Sequence, residues 1–469
     1  MGDFMETYVS RRTLLRLVAG GVPGIALAAC GQQAAPPAAP TAAPVAPTVA
    51  VAATAVPAPT AAVAVQSGVP IPKDAVTVQW WDIETPAYKQ FADAWAPKFM
   101  AKNPTVKVEF SPRPPDWQVK MTAAMAAGTP PDVVAVFGDA FRTYQQQKQV
   151  IGLDAYLKTA KIDPSDFIQG QWNGMQWGGQ QVAIPQYVNP NVIYFNRDLL
   201  EKAGVPIPTD VWTPDDMLQA ARKAMQGSAP SPQVWGFYAG ADNLAKNTCS
   251  LIWEQCGEFN SPSDPSIFTF TKAENTAAFQ WTHDVFRKLQ VGAITKEEMA
   301  GSDGRTAMFA TGNVAISLDA VAALQTWKDK ATTNWDMAML PKGTCGRGER
   351  VSMDGYIIPT GVKKPDASWI VLAALIDAEA GQMRVDMAKM TPSRKSLFEY
   401  WAKSLPGKNA KATLPSDAAR PDPAALWPKA TEVNTAINAI MTQLFVKNEI
   451  PVATALTQLQ SAVSAILAK

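Results

Sequence analysis

Histidine is almost absent. His283 is the only one in 469 residues, so no zinc site built on clustered histidines is available, and Ser-His catalysis would rest on that one side chain. An excess of either charge is missing too: Lys and Arg total 42 against 41 Asp and Glu, which leaves no basic field of the kind nucleic-acid binding needs. After residue 30 no run of about 20 apolar residues occurs, so no spanning helix is predicted there. Four cysteines are too few for a disulfide scaffold in a chain this long. No nucleophile elbow, zinc signature or phosphate-cradling loop is found. No metal, cofactor or nucleic-acid partner is therefore expected.

What is present begins with an address. Ser10-Arg11-Arg12-Thr13-Leu14-Leu15-Arg16 precedes a weakly apolar stretch, Leu17 to Ala29, broken by Gly20, Gly21 and Pro23. It closes on Leu27-Ala28-Ala29-Cys30, small residues ahead of a thiol. The segment resembles a twin-arginine export signal, residues 1–29, ending in a lipobox that makes Cys30 the site of lipid attachment. Residues 30–74 are almost entirely Ala, Pro, Val and Thr, with no possible core. Repeated proline favours extended polyproline II, which would hold a domain on the order of 100 Å from the membrane. Of the remaining cysteines, Cys249 and Cys256 are able to pair if the compartment is oxidising; the alternative is a reduced, buried trio with Cys345.

Beyond the linker about 395 residues remain, enough for two domains. Val76 to Trp81 alternates and reads as a strand. Thr85-Pro86 then predicts a helix N-terminus, with Tyr88, Phe91, Trp95 and Phe99 at helical spacing and Pro97 bending the end. A strand through Val106, Val108 and Phe110 and a helix over 116–127 follow. Val133 to Phe137 is a continuous apolar run, as is Val192 to Phe195; such strands are covered on both faces. Arg197 to Ala203 is a short helix closed by Gly204, Thr213-Pro214-Asp215-Asp216 opens a capped helix, and further helices are expected over 273–290 and 365–378. The class is α/β.

Five segments carry a family likeness. They are Pro130-Pro131-Asp132-Val133-Val134; Ala183-Ile184-Pro185-Gln186-Tyr187 leading into Val192 to Val205; Gly304-Arg305-Thr306-Ala307-Met308 ahead of Thr311-Gly312; Asp354-Gly355-Tyr356-Ile357-Ile358-Pro359; and Thr391-Pro392-Ser393-Arg394. Their order resembles the extracellular solute-binding proteins of family 1, sugar-binding lipoprotein subunits of bacterial ABC importers. The resemblance implies a two-lobe, periplasmic-binding-protein-like fold of class II type, with hinge crossovers near Ile184 to Asn191. It places residues 75–187 and about 336–378 in the N-terminal lobe, and about 188–335 and 379–469 in the C-terminal lobe. It implies capture of a sugar or oligosaccharide and delivery to an ABC permease by a monomer lipid-anchored outside the cell membrane, without catalysis.

A sugar ring packs its C–H faces on aromatic planes and hydrogen-bonds its rim to acids and amides. Residues at strand ends are the candidates, because open α/β sheets bind ligands at their C-terminal edge. Trp81, Asp82 and Glu84 follow the first strand, and Asp139 follows the Phe137 strand. Tyr187 and Asn189 lie at the expected hinge, and Trp177 precedes it. Trp253 precedes a Cys-Gly turn, Asp319 ends the Val314 strand, and Asp354 with Tyr356 opens another. Family members often have Trp at the Tyr356 position, so the plane would be kept and a hydroxyl added. The plain alternative for the acids is a helix cap or a solvated loop. Trp80, Trp95 and Trp369 sit on apolar faces and are expected in the core, whereas His283 is expected to face solvent. The alternative functions are an extracellular glycan hydrolase using two carboxylates, and a solute receptor for signalling or adhesion without transport.

Overall fold

The computed structural model describes residues 67–240, 243–295, 298–299 and 304–469. The export signal, Cys30 and almost all of the linker lie outside them. The described residues fall in one unit, Pro59–Lys469. Among them no helix is long and apolar enough to cross a membrane.

The alternation at the start of the domain does become a strand, β1 (Val76–Asp82), with Val76, Val78, Trp80 and Asp82 buried. Trp80 is fully buried and meets Phe91, Trp95 and Phe110 at centroid distances of 6.0, 5.5 and 4.9 Å. The Thr85 side chain accepts the Tyr88 amide at 3.3 Å and Pro86 opens α1 (Pro86–Lys102), which runs through Pro97 to Lys102. β2 (Val106–Pro112), α2 (Trp117–Ala126), β3 (Val133–Phe137) and α3 (Asp139–Gln146) follow. β1 pairs in parallel with both β2 and β3. β4 (Ile184–Pro185) joins the same sheet later in the chain.

A second sheet is built from β5 (Asn191–Asn196), then β6 (Trp235–Tyr238), β7 (Gly292–Ala293), β8 (Val314–Ala320) and β9 (Trp335–Ala338), in the order β7-β6-β8-β5-β9. β5 is buried along its whole length, as its unbroken apolar run requires. Between β5 and β6, α4 (Pro214–Ala224) starts with the expected cap. Thr213 accepts the Asp216 amide at 3.2 Å, and the Asp216 carboxylate accepts the Thr213 amide at 2.9 Å. α5 (Leu244–Glu254) follows β6, opened by Asn243. The chain then returns to the first sheet as β10 (Asp354–Ile357), antiparallel to β3 and β4, completing the order β2-β1-β3-β10-β4. α6 (Pro365–Leu375) and α7 (Ala378–Ala388) cover it.

Two lobes therefore share several crossings, and their boundaries differ from the expected ones. β9 pairs with β5, so Trp335–Ala338 belongs to the second lobe. Asp377 caps a new helix by accepting the Ala380 amide at 2.7 Å, and α7 folds back on α1, where Glu379 pairs with Lys102 at 2.5 Å. Ala378–Ala388 thus belongs to the first lobe. The chain next crosses to pack Trp401, Leu405, Ala410 and Ala412 against Trp335. It comes back for Asp417, which accepts the Gln169 amide, and ends in the second core with Ala430–Met441 and Val452–Leu467. Trp80, Trp95 and Trp369 are core residues, as expected. His283 is half-buried, not solvent-facing: its Nε2 lies 2.8 Å from the Asn448 side chain, in the segment that links the last two helices.

The cysteines are also corrected. Cys256 bonds to Cys345, 89 residues away, and Cys249 is a free, buried thiol. The hairpin Lys342–Arg347 lies along the C-terminal end of α5 and brings Cys345 to Cys256. Gly343 and Gly348 permit that approach: a Cβ would come within 2.2 Å of the Glu254 carbonyl oxygen and 2.0 Å of that of Ser250.

Candidate functional site

In the first sheet the parallel strands β1, β2 and β3 end along one edge, and β10 starts there, since Asp354 is in register with Phe137. In the second sheet Tyr238 ends β6 and Ala320 ends β8, opposite Asn191 at the start of β5. Tyr187–Val188 pairs with Thr391–Pro392, and only two residues separate it from β5. Both ligand-competent edges thus meet at one crossing.

Aromatic surface is concentrated on the first-lobe edge. Trp81 is half-buried against a cluster containing Trp117, Phe141 and Tyr144. Phe137 is 41% exposed, because it extends beyond the last residue of β1. Arg113 is buried between the Trp117 and Phe137 rings, 4.6 Å from each centroid, and donates to the Ala135 carbonyl at 2.5 Å. Glu84 is exposed beside this surface. Asp139 is the first residue of α3, and its side chain lies outside the described atoms. Trp177 is half-buried on the Gln176–Gln181 hairpin with the Arg142 guanidinium 4.4 Å over its ring.

Beneath this edge lies a buried polar floor. Asp82 is fully buried and accepts the Ile83 amide at 2.7 Å, the Tyr356 hydroxyl at 2.6 Å and the Gln186 amide at 3.0 Å. Burial pushes its carboxyl above the usual range, opposed by the Tyr356 hydroxyl and by Arg113 and Arg384. Tyr356 has no exposed surface. Its oxygen accepts from Gln186 at 2.6 Å and from Arg384 at 2.9 Å, and burial holds its proton well above the ordinary range. The expected stacking plane at Tyr356 is therefore replaced by a structural hydroxyl, since β10 is covered on both faces. Asp354 is buried beside Tyr187, and burial raises its carboxyl as well.

The remaining candidates divide. Asn189 accepts the Ala322 amide at 2.8 Å, and Asp319 accepts the Ala320 amide at 2.7 Å; both sit at the second-lobe edge in local backbone bonds. Trp253 is buried in the second core, and the Arg420 guanidinium covers its ring at 4.0 Å. It does not offer a free face. Phe137, Arg113 and Lys246, the last on α5 near Asp354, were not among the sequence candidates. An apolar run ending in Phe gives no sign that its last residue protrudes, and only the sheet register reveals it. A cavity of about 640 Å³ among Ser67–Ile71, Trp95, Phe99 and Ile370 lies toward the opposite end of the strands, away from this edge.

Next to Trp253, Glu254 ends α5 fully buried. The Gly348 backbone lies close to it, yet neither carboxyl oxygen has a hydrogen bond of ordinary geometry. Burial pushes this carboxyl well above the carboxylate range. A carboxyl raised in the fold contributes stability below the unfolded value, about 4.3, and loses it as pH rises through the folded value. Glu254→Gln is neutral at every pH. Its unfolding free energy, read from urea curves, is expected to pull ahead of the wild type as pH rises above the unfolded value, by about 1.4 kcal/mol per pH unit until the folded value is passed. Parallel midpoint curves would refute the assignment.

Residues 81–382 match the family described as bacterial extracellular solute-binding protein. A protein of Deinococcus radiodurans named as an ABC transporter-binding protein is 23% identical over 323 residues, 66% of this chain and 73% of that one. Among solved structures, the sugar-binding protein MalE of Xanthomonas citri superposes with a TM-score of 0.72 at 19% identity, covering 84% of this chain and 98% of that one. A Listeria monocytogenes ABC substrate-binding protein in complex with cycloalternan gives 0.69 at 18%, covering 84% and 100%. UgpB of Mycobacterium tuberculosis in complex with glycerophosphocholine gives 0.71 at 16%, covering 84% and 98%. The two-lobe binding-protein fold is thereby established.

Proposed function

The chain belongs to the bacterial extracellular solute-binding protein family, and on that premise we propose that it captures a sugar or oligosaccharide between its lobes and hands it to an ABC permease. The observation that carries the reading is the meeting of both sheet edges at the 188–191 crossing, with Trp81 and Phe137 presenting aromatic surface there. Aromatic faces take sugar C–H surfaces, while Glu84 and Lys246 supply hydrogen-bonding groups to a hydroxyl rim. Relatives of the same fold bound to cycloalternan and maltose support a carbohydrate. The lobes open and close about the crossings, and bound solute stabilises the closed form. Processing at Cys30 would tether a monomer outside the membrane, the Ala/Pro-rich linker spanning the gap to the permease. No residue is assigned a catalytic role.

A thermal-shift panel of mono- and oligosaccharides, with glycerophosphocholine and a polyamine as non-sugar arms, tests this. A cognate sugar at about 100 times its dissociation constant should add about 2.7 kcal/mol of stability. Trp81→Ala should weaken that sugar about tenfold or more. A response only to the non-sugar arms would overturn the substrate class, and an unchanged affinity in Trp81→Ala would remove that residue from the site.

A further inference from the structure

Three of the segments that cross between the lobes converge on one side chain. Asn191 belongs to the first crossing, Arg350 to the return toward β10, and Asp422 to the last passage into the second-lobe helices. Arg350 is fully buried. Its Nη1 donates to Asp422 at 2.5 Å and its Nε to the Asn191 side-chain oxygen at 3.1 Å. The Asn191 amide nitrogen in turn donates to Ser250 on α5 at 3.1 Å. The backbones around this guanidinium are joined as well. Arg350–Val351 pairs in parallel with Arg420–Pro421, the Asp422 amide donates to the Val351 carbonyl at 2.9 Å, and the Arg420 amide donates to that of Glu349 at 2.8 Å.

A planar guanidinium holds its donors in a rigid fork, so it fixes the angle between partners as well as their distance. Here the partners are separate crossings, and any bending of one lobe against the other passes through all of them. The geometry points to Arg350 as the positioning residue for solute capture, a staple that makes the crossings bend as one unit about a single pivot. This inference rests on the two-lobe capture reading. Buried ion pairs often add little to stability compared with apolar replacements of similar volume. A role in specifying one geometry is the stronger account of why this pair is present.

The test measures geometry and stability separately. Val119, 71% exposed in the first lobe, and Val211, 78% exposed in the second, become cysteines for paired spin labels in the full chain carrying Cys30→Ser. Cys249 is buried and Cys256 and Cys345 are bonded, so labelling is confined to the new sites. The parent should give a single narrow distance distribution. Arg350→Met with Asp422→Leu should at least double its width while holding the urea midpoint near the parent's, and Arg350→Lys should broaden it by less. Arg197→Met with Asp336→Leu removes an ion pair within the second lobe and should leave the width unchanged. An unchanged width in the Arg350 variants overturns the inference, as does equal broadening in the Arg197 control. If the double variant does not fold, Arg350→Lys decides by the same readout. A protein that binds a panel sugar with unaltered width in the variants refutes the staple alone. A broadened variant of a parent that binds no panel solute leaves the staple and refutes the capture reading.

Discussion

Cys345→Ser is expected to lose about 4 to 5 kcal/mol of unfolding free energy, read as a lower urea midpoint than the parent. The bond closes 89 residues into a loop, and chain entropy alone assigns a cross-link of that length nearly the value of a 100-residue loop, about 4.7 kcal/mol. That loop contains β7, β8 and β9, three of the five strands in the second sheet. The hairpin that carries Cys345 is also the start of the return to the first lobe, so loosening it reaches the Arg350 ribbon. Cys249 cannot substitute as a partner, since burial pushes its thiol up to about 12 and away from the reactive thiolate. Dithiothreitol should therefore reproduce the Cys345→Ser midpoint in the parent and leave the variant unchanged. Equal midpoints in oxidised and reduced parent would refute the contribution. A bond of this kind forms where the environment oxidises, which agrees with a family that works outside the cell.

The sequence was most legible where the signal is local. Thr85-Pro86 and Thr213-Pro214 open helices by side-chain capping, and the β3 and β5 runs are apolar on both faces, so those elements fall where expected. Pairing across 89 residues leaves no local trace. Cys249 and Cys256 are near in sequence, yet Cys249 is buried inside α5 and Cys256, past its end, is bonded to Cys345. The lobe boundary failed for a similar reason: Asp377 signals that a helix begins, and nothing near it says that α7 returns to α1. At the candidate site, strand-end position placed Trp81, Glu84 and Asp354 along the first-lobe sheet edge, where the structure has them. It could not distinguish a ring offered to solvent from one turned into the sheet, which is how Phe137 was passed over and Tyr356 selected.

Tyr356→Phe turns that distinction into an experiment. The ring stays and only the hydroxyl goes, but that oxygen donates to Asp82 and accepts from Gln186 and Arg384. Asp82 keeps the Ile83 amide and Gln186, and Arg384 keeps the Leu375 carbonyl, so each loses one partner of several. A buried polar group left short costs about 1 to 3 kcal/mol, and with three groups affected in part the expected loss is about 2 to 4 kcal/mol. The hydroxyl also favours the ionised form of Asp82, so its removal should raise that carboxyl further, and the variant should lose more stability relative to the parent as pH climbs from the parent's raised folded value for Asp82 to the variant's still higher one. Solute affinity separates the two roles. The network ties β1, the start of the first crossing, β10 and α7 together below the first-lobe sheet edge, so a structural hydroxyl predicts weakened folding with the affinity of the folded fraction kept within about twofold. A tenfold loss of affinity with little change in midpoint would return Tyr356 to the binding surface, and would mean that the two lobes open far enough to expose the floor on which Asp82 rests.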